Sequence, residues 1–192
     1  MSNTYPVFPL PNYFLFPGNA VPLHIFEERY RQMVGDLLDQ VGRLVIAPIL
    51  SHRAGTREGK PPLHSHGCLA EIIRHERLDD GRYIILVAGL ARVRIREVAG
   101  ERLYRRVEAE PIAEIPCSDE EAARLQPLLE KAIHETGGQR LELPRQLSLG
   151  VLVDLLLQLL KLSPRRLEEM LAQPDVALRA KAALAWQEEA GM

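Results

Sequence analysis

Residues 6–30, PVFPLPNYFLFPGNAVPLHIFEERY, decide the fold. Prolines punctuate short apolar runs here, so the segment reads as strand, turn and strand feeding a helix. Residues 5–10 form an edge strand in this reading, because each proline removes a ladder N–H. Phe16-Pro17-Gly18-Asn19 is a turn: Pro17 presets φ and Gly18 accepts a positive φ. Residues 21–25 are a second strand. From Glu27 to Leu38 the apolar period becomes helical, with Tyr30, Met33, Val34, Leu37 and Leu38 on one stripe.

Working outward, residues 44–50 read as a buried strand. Residues 51–67 are polar and rich in glycine and proline, and long for a connection inside a small domain. Residues 68–74 are strand-like, and Asp80-Gly81 marks a hairpin turn. Residues 83–87 form an apolar central strand. Gly89 interrupts it, as at a bulge or barrel corner. Val93 and Ile95 then alternate with Arg92, Arg94 and Arg96, and Val107 marks a last strand. Short strands with one early helix predict a small barrel or sandwich-like lobe.

The pattern changes near Pro116, so residues 1–116 are expected to form a β-rich lobe and 117–192 a helical one. Ser118-Asp119-Glu120-Glu121 is a capping box. Ala122, Leu125, Leu129, Ala132 and Ile133 make the buried stripe behind it, and Gly137-Gly138 stops the helix. Residues 147–162 are apolar almost all round, as in the central helix of a bundle. Ser163-Pro164 and Pro174-Asp175 each start a further helix.

Composition narrows the function. The chain has 192 residues, 46% of them hydrophobic and 26% charged, and a formal net charge of -2. That balance is globular, and it supplies no global basic field for nucleic acid. Cys68 and Cys117 are too few for a disulfide framework. The N-terminus lacks a basic segment before an apolar one, and the apolar run 147–162 is short for a membrane span. A soluble cytoplasmic protein is expected.

No catalytic pattern stands out. Gly55 to Lys60 falls one residue short of a phosphate-binding loop, and Pro61 stands where a magnesium-binding hydroxyl belongs. Ser118 and Ser163 read as helix caps, and Ser148 lacks the glycine that opens a nucleophile elbow. His52, His64, His66 and Cys68 lie in or beside the polar segment, and the last three alternate at a spacing that zinc ligands use, but no second cluster completes a site. No metal and no cofactor are expected. The Arg92, Arg94, Arg96 stripe suits phosphates, yet it has only Tyr104 nearby for base stacking. It reads better as a solvent face balanced by acids.

Residues 6–30, with Gly67-Cys68-Leu69-Ala70-Glu71-Ile72 and the span from Asp80-Gly81-Arg82-Tyr83 to Ile95, resemble the N-terminal domain of Lon, the ATP-dependent protease, and most of all its stand-alone members. The resemblance implies an α+β fold: a PUA-like pseudobarrel lobe with one early helix, then a helical bundle lobe. It also implies recognition of protein substrates. Pro9, Pro17, Gly18, Pro22, Phe26, Glu27, Arg29, Tyr30, Gly81 and Gly89 carry the match. They read as structural, with Phe26 and Tyr30 packing and Glu27 pairing with Arg29 or Arg92 in a partly buried ion pair. The family's ATPase and peptidase parts have no counterpart here, and the length leaves no room for them. The expectation is a non-catalytic module that binds unfolded or exposed polypeptide, or a protease complex, as an adaptor or regulator of proteolysis. Tyr13, Phe14 and Phe16, read as exposed aromatics, and Arg92 and Arg94 are the candidate partner-binding residues. Binding of RNA through the PUA-like lobe is the alternative.

Overall fold

The computed structural model describes residues 4–49, 61–137, 143–144 and 147–191. The described residues build a mixed α+β fold with one six-stranded sheet and five helices. They divide into two units, Met1–Ile112 and Ala113–Met192.

In the first unit, β1 (Thr4–Pro11) and β2 (Ala20–Ile25) lead into α1 (Glu28–Leu38). Then follow β3 (Arg43–Ile49), β4 (His66–Arg77), β5 (Tyr83–Val98) and β6 (Arg106–Pro111). The sheet order is β2-β5-β4-β3-β1-β6, and β5 also pairs with β6. That extra pairing closes a ring, β5-β4-β3-β1-β6, with β2 attached outside it to the first half of β5. The polar segment before β4 is described only from Pro61, where Leu63 bridges to Ile49.

β1 is not the edge strand its prolines predict. It lies between β3, which it meets in parallel, and β6. Strand alternation reconciles the two. The Val7 N–H donates to the Arg105 carbonyl on the β6 side (3.0 Å), so Pro9 and Pro11 turn their nitrogens to that same side. β6 pairs with residues Thr4, Tyr5 and Pro6 only. Pro9 and Pro11 therefore fall where no ladder donor is needed. Pro6 turns its nitrogen toward β3, one residue ahead of the first β1–β3 pair.

The two runs expected around Gly89 are one strand. Ala70 faces Gly89 and Leu69 faces Ala91, so Leu90 is an extra residue and the register shifts there. A Cβ on Gly89 would stand 2.6 Å from the Phe16 carbonyl oxygen and 2.9 Å from the Cys68 sulfur. Only glycine fits that approach. Gly18 and Gly81 hold the positive φ values expected of their turns, 78° and 80°.

The helix α1 buries Tyr30, Met33, Val34 and Leu37 against Phe8, Leu15, Ile25, Ile46 and Ile85. A second cluster gathers Val7, Val45, Leu69, Val93, Ile95 and Val107. Each such aliphatic side chain contributes roughly 1.5–3 kcal/mol on burial.

The second unit holds α2 (Asp119–Gly137), α3 (Leu149–Leu159), α4 (Pro164–Ala172) and α5 (Val176–Gly191). Its helix starts are capped as the sequence predicts: the Ser118 hydroxyl accepts from Glu121 N–H (3.3 Å) and Ser163 from Arg166 N–H (3.4 Å). Ser148 caps α3 in the same way, accepting from Val151 N–H at 3.4 Å. Gly138 lies outside the described residues; α2 ends at Gly137. Arg179 on α5 is wholly buried. It donates to the Gln173 (2.9 Å) and Pro174 (3.2 Å) carbonyls, pairs with Glu114, and sits 3.6 Å from the buried Asp154 of α3.

Candidate functional site

A groove of about 350 Å³ opens in the first unit between β1 and β2. β1 supplies Phe8, Pro9, Leu10 and Pro11; β2 supplies Leu23 and His24; the start of α1 supplies Arg29 and Tyr30, preceded by Phe26 and Glu27. Ile49, Pro61 and Arg105 complete the lining. Most of this surface is apolar, with a few fixed polar groups, as in sites that bind by shape and then orient.

Each wall has a local cause. The Phe8 and Tyr30 rings stand 4.4 Å apart and tilted, which makes a firm aromatic floor. Burial holds the Tyr30 phenol above its ordinary range, against the pull of the Arg29 guanidinium. That guanidinium lies 4.6 Å from the Tyr30 ring centre and pairs with Glu27 at 2.7 Å. The Arg29–Glu27 pair is half-exposed, and among the described residues the buried Arg29 Nε has no hydrogen-bond partner. Arg105 is held rigid by Glu97 (2.7 Å) and the Pro61 carbonyl (2.8 Å).

Phe26 departs from its expected packing role: it is 61% exposed at the rim, beside His24 at 5.8 Å between ring centres. It precedes the N-cap Glu27, a position whose apolar residue usually packs on the fourth helical residue. That residue is Arg31, so Phe26 lacks its staple partner. The sequence carried this signal.

Both strands present free edges to the groove. Among the described residues, nothing pairs with Phe8–Pro11 on the side away from β3, and β2 pairs only with β5. The Asn19 carbonyl accepts from Gly89 N–H at 2.9 Å, so by alternation Ala20, Pro22 and His24 turn their backbone groups outward.

The predicted partner-binding residues do not gather here. Phe14 and Phe16 are 2% and 0% exposed, so they belong to the interior and not to the surface. Phe14 packs on the His64 ring at 5.6 Å, and Tyr13 is half-buried. Arg92 is 1% exposed and lies 5.7 Å from the Phe16 ring centre, so it leaves the expected solvent stripe. The alternation of Arg92, Arg94 and Arg96 with Val93 and Ile95 holds in the ladder, but Phe16 stands against the Arg92 end of that face while Arg94 and Arg96 stay exposed. Arg94 is exposed opposite Glu110 (3.8 Å), and Arg96 pairs with Glu108 (2.5 Å) across the same ladder. The acids balance the stripe, but they come from β6, and Glu97 serves Arg105. His64 and Cys68 are buried, and no cluster able to hold a metal occurs among the described residues. His52 lies outside them.

A larger cavity, about 500 Å³, lies at the other end of α1. Its polar groups already serve one another: Asp36 accepts from the Tyr104 hydroxyl (2.8 Å) and pairs with Arg102 (3.1 Å). The smaller groove has more unspent apolar surface.

The family model described as "ATP-dependent protease La (LON) substrate-binding domain" matches residues 4–186. The chain belongs to the Lon substrate-binding domain family. Among curated Lon relatives, Lon protease 2 of Sorangium cellulosum is 30% identical over 146 residues, which are 75% of this chain and 18% of that one. Lon protease 2 of Myxococcus xanthus is 27% identical over 117 residues, or 59% of this chain and 14% of that one. The chain thus spans under a fifth of the length of these two Lon relatives, and the matched part is their N-terminal region. Two solved structures share the fold. The N-terminal domain of Mycobacterium avium complex Lon protease aligns with TM-score 0.67 at 21% identity, covering 97% of this chain and 98% of that one. The Lon N-terminal domain protein from Xanthomonas campestris aligns with TM-score 0.67 at 22% identity, covering 95% and 98%. Among the described residues no helix is long and apolar enough to cross a membrane.

Proposed function

We propose that this chain is a non-catalytic polypeptide-recognition module, that the β1–β2 groove is its binding surface, and that it acts in the cytoplasm as an adaptor or regulator of proteolysis. The single observation that carries this is the apolar groove built from the family-motif residues, with Phe26 left exposed at its rim. Membership of a family described by substrate binding supports it. The closed strand ring supports a PUA-like pseudobarrel for the first unit, and the mutual packing of α2, α3 and α5 supports a bundle for the second, with the lobes dividing near Pro116. The partner in this reading is an unfolded or exposed polypeptide segment.

The test is fluorescence anisotropy with a labelled, permanently unfolded model protein. Wild type is expected to bind with Kd in the micromolar range, and Phe26→Ala to weaken it about tenfold, as truncation of an anchor residue does. Absence of binding at tens of micromolar, or equal binding by Phe26→Ala, overturns the proposal.

A further inference from the structure

We infer that the β1–β2 groove holds its polypeptide by an apolar side-chain anchor and not by adding a strand to either edge; this rests on the recognition function proposed above. The inference comes from a count of main-chain groups. Five positions turn their backbone groups to the open edges: Pro9 and Pro11 on β1, and Ala20, Pro22 and His24 on β2. Three of the five are prolines and have no N–H. All five keep a carbonyl. Neither strand offers two successive donors, since on β2 the N–H groups of Ala20 and His24 flank Pro22.

A polypeptide adding as a strand presents an N–H and a C=O together at every second residue. Opposite β1 its N–H groups would find the proline carbonyls, but its own carbonyls would find no donor. Each carbonyl left unpaired in the groove forfeits its bond to water, which offsets the bond gained beside it. Prolines at outward positions also keep the edges from pairing with a second copy of the chain. What remains to attract a partner is side-chain surface: Leu10, Leu23, the exposed face of Phe26 and the Phe8–Tyr30 floor. The occupant this fits is a segment with one aromatic or large aliphatic residue seated on that floor. Recognition would then be selective for apolar anchors and indifferent to β propensity.

The experiment uses the full chain and a short fluorescein-labelled peptide with a Leu-Phe-Leu centre in a Gly/Ser frame. Two companions are titrated beside it: one N-methylated along its central backbone, and one with the centre changed to Ala-Ala-Ala. The expected result is a loss of at least about tenfold for the alanine peptide and under about threefold for the methylated one. The double variant Pro9→Ala, Pro11→Ala, which restores two edge donors, is expected to gain affinity for the parent peptide but not for the methylated one. A tenfold loss on methylation with wild type, or equal binding of the alanine peptide, overturns the anchor mode and leaves the recognition function standing. Failure of the peptide to bind while the unfolded model protein does bind overturns the anchor chemistry alone. Failure of both to bind overturns the recognition function itself.

Discussion

The two units differ in where polar groups must be accommodated. Met1–Ile112 buries a guanidinium too, Arg92, but its distinctive difficulty lies in the main chain: among the described residues, a sheet whose ring is closed by β5 and β6 still leaves parts of β1 and β2 unpaired. Prolines blunt those edges, and the apolar side chains beside them stay available. In Ala113–Met192 helices satisfy their own backbone, and the difficulty lies in a side chain, the buried guanidinium of Arg179. It is answered by Glu114, Asp154 and two carbonyls. The contrast teaches that a binding surface arises where a sheet runs out of partners, whereas a helical unit spends its polar contacts on fixing its own turns. Both units also carry their own optical reporters: the five tyrosines lie in the first and the single tryptophan, Trp186, in the second.

The contrast breaks most easily at Arg179. Arg179→Met leaves the Asp154 carboxylate buried without its cation and should cost about 3–5 kcal/mol, read as a lower urea midpoint in Trp186 fluorescence. Adding Asp154→Leu should recover much of the loss. A midpoint unchanged by Arg179→Met would show that the charge cluster does not organise the helical unit. In the first unit the largest effect is expected from Gly89→Ala, whose methyl would meet the Phe16 carbonyl at 2.6 Å. Overpacking against backbone there should cost about 1–3 kcal/mol, followed by tyrosine absorbance. A stabilising effect would mean that the strand crossing at Leu90 is loose. Smaller again, Ser163→Ala removes the α4 cap and should cost about 1 kcal/mol by the Trp186 signal, since Arg166 on the same helix stacks on Trp186.

The smallest expected effect is on pH dependence. Burial raises the phenols of Tyr13, Tyr30 and Tyr104 above their ordinary 10.0, and the bond to Asp36 adds to the shift for Tyr104. The folded state thus holds these protons more tightly. Their contribution is complete below pH 10 and is lost as pH rises through the raised values. Alkaline titration should therefore weaken the first unit before the second, and Tyr104→Phe should flatten part of that decline. Loss of the Trp186 signal first would contradict the contrast.

Much of this was legible in the residues, and the gaps have physical causes. The helix stripe of α1, the caps at Ser118 and Ser163 and the glycine approach at Gly89 follow from local rules, so sequence suffices for them. Burial depends on what covers a face, which local pattern does not contain. Phe14 and Phe16 looked exposed because they flank a proline turn, yet both are buried, Phe14 beside His64 and Phe16 beside Arg92. Arg92 alternates as the stripe predicts but is buried, with Phe16 beside it, while Arg94 and Arg96 on the same alternation are exposed. The prolines of β1 signalled an open edge correctly but only for half the strand, because the reach of β6 is a matter of pairing. Of the groove, Pro9, Phe26, Glu27, Arg29 and Tyr30 were visible as motif residues. Their convergence with Leu10, Pro11, Leu23 and His24 needed the topology.

Backbone NMR shift mapping during titration with the unfolded model protein tests the central claim most directly. The account predicts that the largest perturbations fall on residues 8–10 and 23–30, around the groove, with the Arg94 and Arg96 face and the helices of the second unit left unchanged. Perturbations centred on the β5–β6 face or on Ala113–Met192, with the groove silent, would contradict it.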